Sequence, residues 1–363
     1  MPKNGEKKGL GSISFSFTRI NLTTKAIFAK HLAVMQKSGL TIVESLSIIA
    51  DSSQGKFKRI VKGILKSTEA GNTLSSSFAR YPKIFPSIFI SSIYAGESSG
   101  TLDQNLENLA IQMEKEKELS SKIKGAMLYP SVVLVATFIL GIVLSFLVLP
   151  KIIPLFEGLK VDLPFTTRAL ISFSHFMDDN GGKAFIGLVV FLIFFVWLVK
   201  QKFIKPITHL FFLKMPIVNH ITRNINLARF TRTLGMLLKS GLNIDEALKV
   251  TKDTLGNYYY HKSLEEVSQR VGKGITLSEN LKHYEDLYPK MVSRMILVGE
   301  ESGNLEDTLF YLADFYELEV DNASKALSTT IEPVLLIFIG LAVGFLALSI
   351  ITPIYNITGN IQR

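Results

Sequence analysis

Ser98 stands in Gly96-Glu97-Ser98-Ser99-Gly100, a G-x-S-x-G pattern. In hydrolases that pattern builds a strained strand-to-helix turn, which presents a serine nucleophile to a histidine base. Here the residues before it, Ser87 to Ala95, read as helix rather than strand. The pattern also returns 203 residues further on as Gly299-Glu300-Glu301-Ser302-Gly303, with glutamate where the nucleophile would be. A carboxylate there cannot do serine chemistry, so the motif reads as structural. Gly100 and Gly303 suit a tight turn. Thr101 and Asn304 then stand as N-caps, with Asp103 or Glu306 in the electropositive first turn and Thr101-x-x-Gln104 at capping-box spacing. Ser99 and Ser302 recur beside the glycines, and so do Glu97 and Glu300. Capping the next helix leaves those two glutamates unexplained; a local salt bridge and a partner contact are the two readings open.

Other chemistry is sparse. The six histidines have no metal-ligand spacing, and His31 falls on an apolar helix face with Phe28, Leu32 and Met35. No G-x-x-x-x-G-K-[ST] loop is present to cradle a nucleotide phosphate. Glu114/Glu118 and Glu317/Asp321 are acidic pairs at i, i+4, read as solvated helix faces, with a docking surface or a divalent ion as the lesser reading. Cysteine is absent, which excludes disulfides and thiolate chemistry. No catalytic residue, cofactor site or metal site is expected.

The elements that carry these residues alternate between polar and strongly apolar. Ser131 to Leu149 and Pro333 to Ile351 are each 19 residues without a charge, enough to cross a bilayer as helix. Ala184 to Val199 is 16 residues between Lys183 and Lys200, whose stems can snorkel; it reads as a third span, with a buried soluble helix as the alternative. None of the three contains an ionisable side chain, which argues against an ion relay. Lys115, Lys117, Lys122 and Lys124 precede the first span, and no acid interrupts the basic residues from Lys200 to Lys239 after the second. The segment between those spans, 150–183, balances four basic against four acidic residues. By the positive-inside rule the N-terminus and 200–332 face the cytoplasm, and the loop and C-terminus face outside. The basic, polar first 25 residues lack the apolar core of a cleavable signal peptide.

Much of the chain is written twice. Phe28–Ile48 aligns with Phe230–Val250 through Phe, Leu, Lys-Ser-Gly-Leu, Ile and Leu, and Phe85-Pro86 matches Tyr288-Pro289. Gly39 and Gly241 end a helix in each copy. Pro130 and Pro150 bracket the first span as Pro333 and Pro353 bracket the third. The expected fold is an all-α membrane protein with two homologous cytoplasmic bundles of about six helices and three transmembrane helices. Its parts are a basic tail (1–25), a first bundle (26–130), span 1 (131–150), an outer loop (151–183), span 2 (184–199), a second bundle (200–332), span 3 (333–353) and a short outer tail (354–363). Residues 1–130 carry net charge +8 while 200–332 are neutral, so the first bundle suits anionic lipid or an acidic protein; nucleic acid is not an expected direct partner.

The two K-S-G-L segments, two G-E-x-S-G-x-L motifs and Pro-bracketed spans resemble the inner-membrane platform proteins of type II secretion systems and type IV pili, the GspF/PilC family. Leu163–Leu170 (LPFTTRAL) and Lys214-Met215-Pro216 are similar to that family's pattern too. The resemblance covers roughly residues 25–355. It implies a non-enzymatic, multi-pass protein of the bacterial inner membrane that forms homo-oligomers in the lipid bilayer. It also implies three kinds of protein partner: a cytoplasmic hexameric assembly ATPase, pilins or pseudopilins, and inner-membrane alignment proteins. The short N-terminal extension departs from longer relatives. Outside the resemblance, a small-molecule transporter and a membrane-anchored hydrolase using Ser98 are the alternatives.

Overall fold

A computed structural model describes residues 20–143, 165–216 and 218–361, and every regular element among them is helical. The chain divides into two compact units, one ending at Lys117 and the other beginning at Glu118.

The first unit holds α1 (Leu22–Lys37), α2 (Ile42–Ser52), α3 (Gly55–Glu69), α4 (Leu74–Ala79), α5 (Ser87–Ser99) and the start of α6 (Leu102–Val143). Local chemistry sets the boundaries. Asn21 accepts the Thr24 N–H at 2.7 Å to start α1. Gly39, at φ +86°, ends it, and the Leu40 N–H returns to the Met35 carbonyl at 3.1 Å. Thr41 and Glu44 then form a reciprocal capping box at the head of α2. The apolar faces close over a cluster of phenylalanines. Phe78 and Phe85 meet edge to face at 4.6 Å, with Phe28 and Phe89 packed on both. His31 is exposed, so the apolar stripe of α1 is narrower than its sequence suggests and stops at Phe28 and Leu32.

The second unit repeats this order. It contains α7 (Phe165–Val199), α8 (Lys205–Lys214), α9 (Val218–Lys239), α10 (Ile244–Thr254), α11 (Tyr258–Val271), α12 (Leu277–Leu281), α13 (Lys290–Glu301) and α14 (Leu305–Ile361). Helices α9 to α14 correspond to α1 to α6. Tyrosines replace two of the phenylalanines: Phe230 and Tyr260 each meet Tyr288 edge to face at 5.3 Å where the first copy has Phe28, Phe57 and Phe85. Each buried hydroxyl finds a partner, Tyr260 donating to the Leu287 carbonyl at 2.6 Å and Tyr288 pairing with Ser263 at 3.0 Å. Burial pushes both phenols well above their usual pKa.

Among the described residues, three helices are long and apolar enough to cross a membrane, within Leu102–Val143, Asp179–Val199 and Leu305–Phe345. Their apolar side chains stand exposed, for example Leu134, Ile193 and Leu341 at 57%, 65% and 69%. The prolines that bracket the spans in sequence lie inside continuous helices: α6 runs through Pro130, and α14 runs through Pro333 and Pro353. A proline removes one ladder hydrogen bond, and an apolar environment, which penalises every unpaired backbone group, favours continuing the helix around it. Pro150 lies outside the described residues. The segment 165–183, read as loop, is helical and continuous with the second span, because α7 begins at Phe165.

Candidate functional site

The duplicated motif sits where α5 turns into α6 and where α13 turns into α14. Ser98 occupies the last turn of α5 and is exposed, with helix rather than strand before it, so the geometry is not that of a nucleophile elbow. The other positions each have a distinct task.

Gly100 and Gly303 adopt left-handed φ of +72° and +68°. That conformation lets the Thr101 N–H reach back to the Gly96 carbonyl at 3.0 Å, and the Asn304 N–H to the Gly299 carbonyl at 2.9 Å. Thr101 and Asn304 follow as the residues whose carbonyls accept the first bonds of the next helix, from Asn105 and Thr308. The Thr101 hydroxyl also meets Ser99 at 2.6 Å and accepts from the Asn105 amide at 3.1 Å. Ser99 and Ser302 bond back to carbonyls of their own helix, those of Ala95 and Gly299.

Gly96 and Gly299 serve a different need. A Cβ on Gly96 would lie 2.9 Å from the Leu102 Cα, and one on Gly299 would lie 2.9 Å from Thr308 Oγ1 and 3.1 Å from the Leu305 Cα. The departing helix crosses over these glycines at a distance no side chain permits.

Glu97 and Glu300 are the residues whose role the sequence left open, and the structure gives each a task within its own bundle. Each carboxylate reaches back to a short helix and accepts its first two backbone N–H groups. Glu97 takes those of Leu74 and, at 3.0 Å, Ser75, and also the Ser75 hydroxyl. Glu300 takes those of Leu277 at 2.7 Å and Ser278 at 3.1 Å. The first N–H groups of a helix have no partner within it and carry its positive end, so a bidentate carboxylate satisfies both demands. Thr73 and Thr276 cap the same helices through the Ser76 and Glu279 N–H groups, each at 3.3 Å. One side chain thus ties α4 to α5, and its counterpart ties α12 to α13. A signal for this was present: Thr-Leu-Ser recurs at 73–75 and 276–278 with the same spacing to the glutamate.

One member of each acidic pair, Glu114 on α6 and Glu317 on α14, joins the first and last helices of its bundle, while Asp321 pairs with Lys325 on its own helix. Lys30 reaches Glu114 at 3.5 Å and Lys37 reaches Glu107 at 2.9 Å, both at exposed positions where such pairs contribute little. The second copy is stronger. Arg232 replaces Lys30 and holds Glu317 at 2.8 Å, both groups mostly shielded, and it also binds Asp314. Burial works to lower the Arg232 pKa, but the hydrogen bonds it donates to Glu317 and Asp314 outweigh it and raise it. Lys239, the counterpart of Lys37, instead lies 5.5 Å over the Phe310 ring. Among the described residues no group of three or more His, Asp and Glu could hold a metal ion.

The duplicated helical fold agrees with comparisons to known proteins. The family description "Type II secretion system (T2SS), protein F" matches twice, over residues 28–150 and 230–353. The chain is similar to the type IV pilus assembly protein PilC of Thermus thermophilus, 34% identical over 93% of this chain and 83% of that protein. It is likewise similar to the PilC of Myxococcus xanthus (33%, over 93% and 81%) and to the type II secretion system protein F of Aeromonas hydrophila (31%, over 93% and 87%).

Proposed function

The chain belongs to the type II secretion protein F family, which includes the PilC proteins of type IV pili, and from that premise we propose that it is a non-enzymatic platform of the bacterial inner membrane. Its cytoplasmic bundles receive motion from a separate hexameric assembly ATPase and pass it through the spans to pilin or pseudopilin subunits being added outside. The N-terminus lies in the cytoplasm and the C-terminus outside, as the basic residues around the spans favour. The working form is a homo-oligomer that also meets alignment proteins of the inner membrane.

One observation supports this reading above the others: the last helix of each bundle runs without a break into a span. Helix α6 has 42 residues, about 63 Å at the α-helical rise, and α14 has 57. A continuous helix resists bending far better than a helix joined to a span by a loop. Its bundle end is gripped by the turn at Gly100 or Gly303, the close approach at Gly96 or Gly299 and, in the second copy, the shielded Arg232–Glu317 pair to α9.

The test replaces the two turn glycines in the native host. Valine disfavours left-handed φ, whereas asparagine tolerates it. The Gly100→Val, Gly303→Val double variant should reach the membrane at normal level yet assemble no fibre or secrete no substrate. The Gly100→Asn, Gly303→Asn pair should retain assembly. Normal assembly by the valine variant would overturn the lever mechanism.

A further inference from the structure

Helix α8 has no role in the bundle core, since none of its residues is buried. It starts six residues beyond Val199, where α7 ends, and a tight turn joins them, with Lys205 N–H returning to the Gln201 carbonyl at 3.2 Å. Phe203 on that turn and Ile207 and Phe211 on the helix are 69%, 66% and 60% exposed. Together with Leu210 they fall at i, i+4, i+7 and i+8, a single apolar face. The opposite side is fastened to the second bundle. His209 Nδ1 accepts the Tyr258 N–H at 2.8 Å, and the Asn257 amide reaches the His209 carbonyl at 3.5 Å. A helix held on one side with an aromatic face turned outwards needs a covering surface.

We propose that α8 lies in the headgroup–acyl boundary of the bilayer, its Phe203–Ile207–Phe211 face inserted among the lipids and its lysines on anionic headgroups. Continuity and charge select this occupant. Trp197, exposed near the end of α7, together with Lys200 and Lys202, marks the level at which the span leaves the hydrocarbon. Helix α8 begins at that level, with Lys205 and Lys214 at its two ends, and no acidic residue lies between Lys200 and Lys239. Basic residues flanking a short apolar face are what an in-plane interfacial helix requires. Through His209 the helix would hold the second bundle at a fixed height and orientation against the membrane. The proposal rests on α7 crossing the bilayer.

Because the chain has no cysteine, single cysteines carrying a nitroxide can be placed in the otherwise native protein. The full chain is reconstituted in vesicles of phosphatidylglycerol and phosphatidylethanolamine. Collision of each label with oxygen, which concentrates in lipid, and with a nickel chelate, which stays in water, is then compared. Ile193→Cys on the span and Lys262→Cys on the exposed bundle surface are the references. Ile207→Cys and Phe211→Cys should show an oxygen-to-nickel ratio several-fold above that of Lys262→Cys and below that of Ile193→Cys. A ratio equal to that of Lys262→Cys at both sites, with Ile193→Cys still in lipid, would overturn the proposal alone. Labels at 207 and 211 shielded from both reagents would overturn it in favour of a second copy or another protein covering the face. A water-like ratio at Ile193→Cys would overturn the span and the proposal together.

Discussion

Glu97 and Glu300 carry the most consequence per residue, because each carboxylate satisfies two helix N–H groups that have no partner within their own helix. Glu97→Gln and Glu300→Gln keep the shape but remove the charge and turn an amide donor towards a backbone donor. Each should cost ~1–3 kcal/mol, the range for losing a hydrogen bond to a charged group at a partly buried site. Ser98→Ala, at an exposed position, should change stability by less than ~0.5 kcal/mol. Thermal unfolding of the detergent-solubilised full chain reads both; equal midpoints for Ser98→Ala and Glu97→Gln would sink the assignment. The glycines were legible as turn formers from sequence at Gly100 and Gly303. Gly96 and Gly299 were not separable from them, since their need comes from Leu102 and Leu305 crossing overhead.

At the scale of elements, α8 shows how one contact can set a pH response. His209 donates nothing to Tyr258; its ring nitrogen accepts, so the neutral form is the docked one. Burial first, and Lys205 second, lower its pKa from 6.5. The sign follows: the undocked state binds the proton more readily, so docking is fully stable above 6.5 and weakens as pH falls below it, reaching its floor below the depressed value. Hydrogen–deuterium exchange at residues 257–260, normalised to intrinsic rates, should lose protection across that fall. His209→Ala should remove the pH dependence and lower protection at neutral pH by about tenfold, equivalent to ~1.4 kcal/mol. An unchanged pH dependence in His209→Ala would show that another group controls the contact. The helix starts at Thr101 and Asn304 were readable because the bonds they accept come from only four residues ahead, at Asn105 and Thr308. The start of α7 at Phe165 was not, since Asp178, Asp179, Gly181 and Gly182 mimic a loop until a long apolar segment extends through them.

The whole molecule is one design used twice and adapted in the second use. The first copy has a phenylalanine core and exposed lysine pairs, and the second a hydrogen-bonded tyrosine core and the shielded Arg232–Glu317 pair. Membrane orientation is a property of this scale and can be tested directly in the cysteine-free chain. Arg168→Cys, at an exposed position ahead of the second span, should react with a membrane-impermeant maleimide added to intact cells whose outer envelope is permeabilised. Lys262→Cys, exposed on the second bundle, should react only after the inner membrane is opened. The reverse pattern would invert the proposed topology.

The linear order of residues by itself determined the helical class, the duplication, the apolar spans and the capped turns, because each rests on periodicity or on partners a few positions apart. Tertiary structure alone decided that Glu97 and Glu300 are caps for helices lying 22 and 23 residues behind them. It also decided that Glu114 and Glu317 meet the first helix of their bundles, that Pro130, Pro333 and Pro353 do not interrupt their helices, and that His209 pins α8. Those contacts depend on where packed helices cross, and no local spacing encodes that distance.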